Sequence, residues 1–366
     1  MEQKKSTTVL KTVLPIVLGG AILYWMYRDF DFSSIRTVLW EEMSWTWMLL
    51  SMPFGVLAQA LRGWRWRQTL EPLREGDGGA GDGGAGARGT DGTGWDEMGR
   101  AGTEEREVRN AVCVNAVFLS YAASLVVPRI GEFTRCGVVK RWEGLSFTKA
   151  LGTVVTERVV DTLVVLLYSA VVLLVEMSTF GTFFRKTGTS VEGLLSGFSL
   201  AGYLVTGVCA VAVALLLHLL LRRLSIYNKV KATMAGLWEG VLSLRDVKNL
   251  PLYLVYSVAI WVAYFLHFYL TFFCFDFTAD LGIGCAVVCF VVANFAVIVP
   301  TPNGAGPWHF AIKTMLILYG VEDEQALYFV LIVHTLQTLL VVLLGVWAWL
   351  RLSFVGDRRT EVLKAK

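Results

Sequence analysis

The sequence predicts an all-α integral membrane protein, a multi-pass bundle of two inverted repeats, each with a re-entrant helical hairpin. Three observations carry that expectation. The 366 residues are 55% hydrophobic and 17% charged, too apolar for an ordinary soluble domain. Apolar runs near the length of about 20 residues that crosses a bilayer recur throughout the chain. Two Pro/Gly breaks, one at Pro128 and one from Pro300 to Pro307, interrupt apolar helices at corresponding places.

The first span covers about 12–27. Lys4, Lys5 and Lys11 before it imitate a secretory signal, but no small-residue cleavage site follows Tyr24-Trp25-Met26-Tyr27, so the span is expected to be retained. The second, about 45–61, ends in Arg62-Gly63-Trp64-Arg65-Trp66-Arg67. Indoles alternating with cations suit headgroup depth, which makes Arg62, Trp64, Arg65, Trp66 and Arg67 candidate interfacial lipid contacts. Over 76–102, twelve of twenty-seven residues are Gly, which predicts a flexible cytoplasmic insert. These glycines lack the strand-before, helix-after context of a phosphate loop.

A hairpin is expected at about 110–140, because the residues after Val127 are too polar to return across a membrane as a full span. Irregular backbone at that depth is tolerated where it lines an enclosed cavity. Spans at about 151–175, 199–221 and 252–275 follow, then a second hairpin at about 281–319 and a last span at about 326–350. With a cytoplasmic N-terminus, the basic ends at 62–74, 140–149, 222–248 and 351–366 all fall on one side, and only Arg185 and Lys186 dissent. The positive-inside rule then predicts six full spans and both termini in the cytoplasm. The six cysteines show no C-x-x-C pair or metal-ligand spacing and read as buried thiols.

The 151–175 run carries Glu157, Arg158 and Asp161 in its first half. Near a bilayer centre each costs roughly 2.5 to 3.5 kcal/mol, and the fifteen Leu and Val residues of the run return only about 5 to 9 kcal/mol. The helix therefore turns its charged flank to protein or water. Displacing the sequence by 176 residues sets Gly144, Ala150, Leu151, Arg158 and Asp161 against Gly320, Ala326, Leu327, His334 and Gln337. Both copies run through an Asn-bearing helix (Asn115, Asn294), a break, a short helix, a glycine turn and a long helix with polar groups early. Two spans and a hairpin separate the long helices, so the copies are inverted, and such repeats place a binding site at their interface near the midplane.

Broken helix ends offer free N–H groups, and glycine lets a headgroup approach the backbone. Gly131, Asn303, Gly304 and Gly306 suit that role. Arg129, Arg135 and Arg158 could grip phosphate, and Glu132, Glu157 and Asp161 could meet a cationic group or one another. An internally neutralised lock of three Arg and three acids is the alternative. His309 and His334 stand in apolar runs where imidazole serves packing as readily as binding; His334 and Gln337 enter the candidate set through the repeat.

In order, Arg62 to Arg67, Pro128-Arg129-Ile130-Gly131-Glu132-Phe133-Thr134-Arg135, Glu157-Arg158-Val159-Val160-Asp161 and Pro300-Thr301-Pro302-Asn303-Gly304-Ala305-Gly306 resemble motifs of the lysylphosphatidylglycerol synthase transmembrane (flippase-like) family. The resemblance implies a membrane domain that moves a lipid between leaflets, an aminoacylated phosphatidylglycerol in the best-known members. Those members carry a soluble transferase domain after the membrane part, and this chain stops at Lys366, so lipid synthesis is not expected. The expected activity is passage of a phospholipid or other anionic or zwitterionic lipid headgroup through a polar cavity. A membrane-embedded transferase acting on a polyprenyl-phosphate sugar and a non-catalytic partner subunit are the rivals. No catalytic residue, cofactor, metal or nucleic acid is expected; the partners are the lipid substrate and the bilayer, with a homo-oligomer left open.

Overall fold

The computed structural model of the protein describes residues 17, 20–24, 26–28, 34–78, 107–176, 247–299 and 301–354. Eight long helices dominate the described residues, which contain no strand. They are α1 (Trp45–Gly78), α2 (Asn110–Val126), α3 (Ile130–Trp142), α4 (Phe147–Val175), α5 (Leu250–Tyr269), α6 (Gly282–Ala296), α7 (Pro307–Leu318) and α8 (Asp323–Phe354). A 3-10 turn, Leu270–Cys274, prolongs α5. The expected span at 199–221 and the insert beyond Gly78 lie outside the described residues, as does most of the expected first span, whose residues 20–24 and 26–27 are helical.

By length and composition, α4, α5 with its extension, and α8 can each cross a membrane. Their outer faces are apolar and exposed, at Leu163, Leu167 and Leu174 on α4, Val255, Val258 and Val262 on α5, and Leu343, Val346 and Trp347 on α8. Contiguous apolar surface of that extent marks a membrane-facing wall. The expected span at 45–61 proves to be the first half of one 34-residue helix, about 51 Å long at 1.5 Å per residue. On its second half a stripe at helical spacing, Ala58, Gln59, Arg62, Arg65, Trp66, Thr69 and Leu70, is buried.

Helices α2 and α3 fold back on each other as a hairpin. Val127, which precedes Pro128, is extended (φ −129°, ψ 120°) as that position favours, and Arg129 takes a left-handed conformation (φ 65°). The return is tight: a Cβ on Gly131 would lie 2.1 Å from the Ser120 carbonyl oxygen. The free Gly131 N–H donates to Ser124 Oγ at 3.2 Å, which supplies one partner for the open first turn of α3. At the hairpin's base Arg109 pairs with Glu143 at 2.7 Å and donates to the Trp142 carbonyl, and the Trp142 indole donates to the Leu352 carbonyl of α8.

A second hairpin joins α6 and α7 through residues 297–306. Asn303 (φ 51°), Gly304 (φ 73°) and Gly306 (φ 92°) make its turn, and Pro307 opens α7 at a position that needs no N–H. Among the described residues Arg129 and Asn303 are the two non-glycine residues with positive φ, one at each break. One apolar core, with Trp66, Leu70, Val112, Val117 and Val139, lies around the first hairpin. Another, with Phe268, Phe272, Trp308, Ile312 and Phe329, lies around the second. Helix α2 crosses α1 at Gly63 and α8 at Gly345, where added Cβ atoms would fall 2.6 Å from Val114 Cα and 2.2 Å from Ala122 Cβ. Small residues at crossings let membrane helices approach closely.

Candidate functional site

Glu157 and Asp161 lie about 15 and 21 Å along α4, a helix about 44 Å long, so both sit toward its middle. Both are buried. Carboxylates at that depth need cations, and α1 and α3 deliver them. Arg62 reaches Asp161 at 2.5 Å, Arg65 reaches Asp161 at 2.8 Å and Glu157 at 3.5 Å, and Arg135 reaches Glu157 at 2.6 Å. Arg62 and Arg65 are three residues apart on α1, which points both side chains at one flank of α4. The Trp66 ring lies 4.7 Å from the Arg135 guanidinium carbon, and its indole donates to Thr153 Oγ1. Arg65 also donates to Ser257 Oγ on α5.

The interfacial role expected of Arg62, Arg65 and Trp66 is therefore corrected. All three are buried in protein, Arg62 and Arg65 against the carboxylates of α4 and Trp66 between Arg135 and Thr153. Arg67 pairs with Glu71 and Glu107, and Trp64, 36% exposed, alone of the two indoles reaches the surface. The three-Arg, three-acid grouping expected from the sequence is also regrouped. Arg158 leaves the buried cluster and pairs with Glu132 at 2.8 Å, with side chains 46% and 34% exposed.

The buried cluster thus holds three guanidinium groups, Arg62, Arg65 and Arg135, against two carboxylates, Glu157 and Asp161. One positive charge is uncompensated among the described residues. Arg62 Nε and Arg135 Nη2 are buried with no hydrogen-bond partner among them. Unpaired charge in such a place is costly unless an anion can approach.

The two hairpin tips meet. Arg129, exposed at the first tip, donates from Nη2 to the Ile298 carbonyl of the second at 3.4 Å. At the second tip Asn303 donates to Thr338 Oγ1 at 2.6 Å, and its carbonyl lies 3.1 Å from His334 Nε2. Gln337, one turn along α8 from His334, reaches the His267 carbonyl at 3.5 Å. Gly304 packs on Val297, and the Gly306 N–H points at His309 Nδ1 at 3.4 Å. His334 and Gln337 lie about 16 and 21 Å along α8, matching the depths of Glu157 and Asp161 along α4.

The structure thus joins Arg135, Glu157 and Asp161 in one cluster, Glu132 with Arg158 in a second, and Asn303 with His334 in a third. Sequence reading missed Arg62 and Arg65 as partners of α4, although their three-residue spacing was the available signal. It also missed Thr338 and left His309 between packing and binding. Among the described residues no three His, Cys, Asp or Glu side chains are placed to share a metal ion.

Searches of curated proteins and of solved structures return no match to this chain. Residues 12–345 match the family described as lysylphosphatidylglycerol synthase TM region. That stretch holds both hairpins, α4 and α8 as far as Gly345. The chain belongs to the lysylphosphatidylglycerol synthase TM region family.

Proposed function

We propose that the protein is a lipid translocase of a bacterial inner membrane, with both termini cytoplasmic, in which the two hairpins re-enter the bilayer as an inverted pair. Their meeting tips form a passage for a headgroup. The uncompensated guanidinium behind those tips carries this reading: a phosphate group is the anion that a membrane offers to Arg62 Nε and Arg135 Nη2. The matching depths of the polar residues on α4 and α8, and the left-handed residue at each break, support the repeat.

Access runs through the partly exposed side chains. Arg129 and Arg158 receive the headgroup phosphate, and Glu132, already held by Arg158, positions that arginine. Carboxylates Glu157 and Asp161 are already paired with three arginines, with which an ammonium group would have to compete. An anionic phospholipid or polyprenyl phosphate therefore suits the site better than an aminoacylated one. The test is leaflet exchange in proteoliposomes with labelled phosphatidylglycerol, phosphatidylcholine and lysyl-phosphatidylglycerol, for the wild type, Arg129→Ala and Glu157→Gln. Wild-type exchange fastest for phosphatidylglycerol and lost in folded Arg129→Ala is the expected result. Exchange of none of the three lipids would remove the translocase reading.

A further inference from the structure

A pair of phenols leads from the buried cluster to the first hairpin. Tyr264 of α5 sets its ring 6.0 Å from the Arg62 guanidinium carbon, and its hydroxyl donates to the hydroxyl of Tyr121 on α2 at 2.8 Å. Both tyrosines are half-buried. Tyr121 stands one turn before Ser124, whose Oγ receives the Gly131 N–H at the tip. The contacts therefore run in one line, from Asp161 through Arg62 and Tyr264 to Tyr121, beneath the first break.

Two hydroxyls have two hydrogens to give, and the bond between them uses one. The Arg62 cation turns the Tyr264 hydrogen away toward Tyr121, so the hydrogen left over is that of Tyr121. It meets no acceptor among the described residues. The neighbouring hydroxyls of α2 are engaged, Ser120 with the Val117 carbonyl and Ser124 with the Ser120 carbonyl. Asp161, the carboxylate on the line, already holds Arg62 and Arg65. Donors are in excess: Arg62 Nε and, one turn from Tyr264 on α5, the Trp261 indole N–H are both buried with no acceptor among the described residues. Water satisfies a hydrogen but leaves the extra guanidinium charge uncompensated, whereas an oxyanion answers both.

We infer that the Tyr121 hydroxyl is a phosphate-binding group, which donates to an oxyanion oxygen on the way from the exposed Arg129 of the tip to the buried Arg62. Tyr264 is its positioning residue: it fills the acceptor side of the Tyr121 oxygen and leaves the hydrogen for the ligand. A headgroup phosphate then passes from guanidinium to phenol to guanidinium without losing a donor. The inference rests on the translocase reading for the source of that phosphate, a lipid; free phosphate offers the same oxygens and is the rival source.

Tyr121→Phe and Tyr264→Phe delete the same shared hydrogen bond and keep both rings, so they are alike as structural changes; only Tyr121→Phe also removes the free hydrogen. The experiment titrates the full chain in detergent with dihexanoyl-phosphatidylglycerol and with inorganic phosphate, followed by ³¹P NMR, and measures leaflet exchange of labelled phosphatidylglycerol in proteoliposomes. Tyr121→Phe is expected to weaken lipid binding and slow exchange by about tenfold each, and Tyr264→Phe by about threefold, with both melting within a few degrees of wild type. Equal lipid binding by the two folded variants overturns the inference, and the translocase reading stands if the wild type exchanges lipid. Inorganic phosphate bound as tightly as the lipid, and weakened alike in Tyr121→Phe, would give the hydroxyl to a free anion and overturn the assignment to a headgroup. No exchange by the wild type, with lipid binding still weakened more in Tyr121→Phe than in Tyr264→Phe, would instead remove the translocase reading and keep the phosphate site.

Discussion

Around the first hairpin, α4 carries two carboxylates buried against three arginines; around the second, α8 carries an imidazole and an amide that meet backbone carbonyls and a hydroxyl that accepts from Asn303. The polar side chains stand at the same depths along their helices, yet one half is built of ions and the other of neutral dipoles. Burying an ion is costly unless it is paired, whereas a neutral group loses little if one bond is long. The ionic half had to recruit α1, whose Arg62 and Arg65 lie outside both hairpins. The neutral half ties its tip to α8 through Asn303, Thr338 and His334, and α8 to α5 through Gln337.

That contrast predicts its largest effect at Asp161. Asp161→Ala leaves Arg62 without its carboxylate and Arg65 with only Glu157 at 3.5 Å, and should lower unfolding free energy in detergent by about 3 to 5 kcal/mol. Gln337→Ala, at the equivalent depth of α8, breaks only a 3.5 Å bond and should cost less than about 1 kcal/mol. Equal losses would show that the halves are held by the same forces.

A smaller effect separates two glycines of α3. Gly131→Ala drives a methyl into the Ser120 carbonyl and should destabilise by about 1 to 3 kcal/mol. Gly137→Ala meets nothing within 4 Å and should be neutral or stabilising by up to about 1 kcal/mol. Thermal denaturation of both variants sharpens the picture of a hairpin closed at its tip; a harmless Gly131→Ala would mean the tip opens readily.

The smallest effects have opposite signs at the two breaks. Arg129→Gly relieves a left-handed arginine and should stabilise by about 0.5 to 1 kcal/mol while slowing lipid exchange. Asn303→Gly keeps the backbone at ease but loses the Thr338 bond, and should destabilise by about 1 kcal/mol. Matching signs in chemical denaturation would break the assignment of Arg129 to the substrate and Asn303 to the scaffold.

How much of this was legible in the sequence follows from the physics of each feature. The helical class, the two breaks and the polar depths could be read because proline, glycine and a charge in an apolar run each act through local chemistry. The pairing could not. Arg158 stands beside Glu157 in sequence, but helical rotation turns it about 100° away, toward Glu132. Trp66 and Arg65 read as a lipid boundary because aromatic and basic residues favour both that boundary and a carboxylate-lined interior; only the position of α4 decides between them. The 45–61 span was cut short at Arg62 on the assumption that arginines end a membrane helix, and paired arginines do not.

The central claim is that Arg158 receives the lipid phosphate, drawn toward the spare guanidinium charge of the buried cluster, without itself holding the helices together. The most direct measurement compares phosphatidylglycerol exchange and melting temperature for wild type and Arg158→Ala in the same vesicles. The Arg158–Glu132 pair is part-exposed and should contribute no more than about 1 kcal/mol to stability. The account predicts exchange reduced at least about tenfold, roughly 1.4 kcal/mol in barrier, with melting shifted by only a few degrees. Exchange at the wild-type rate in a normally folded Arg158→Ala protein would contradict it.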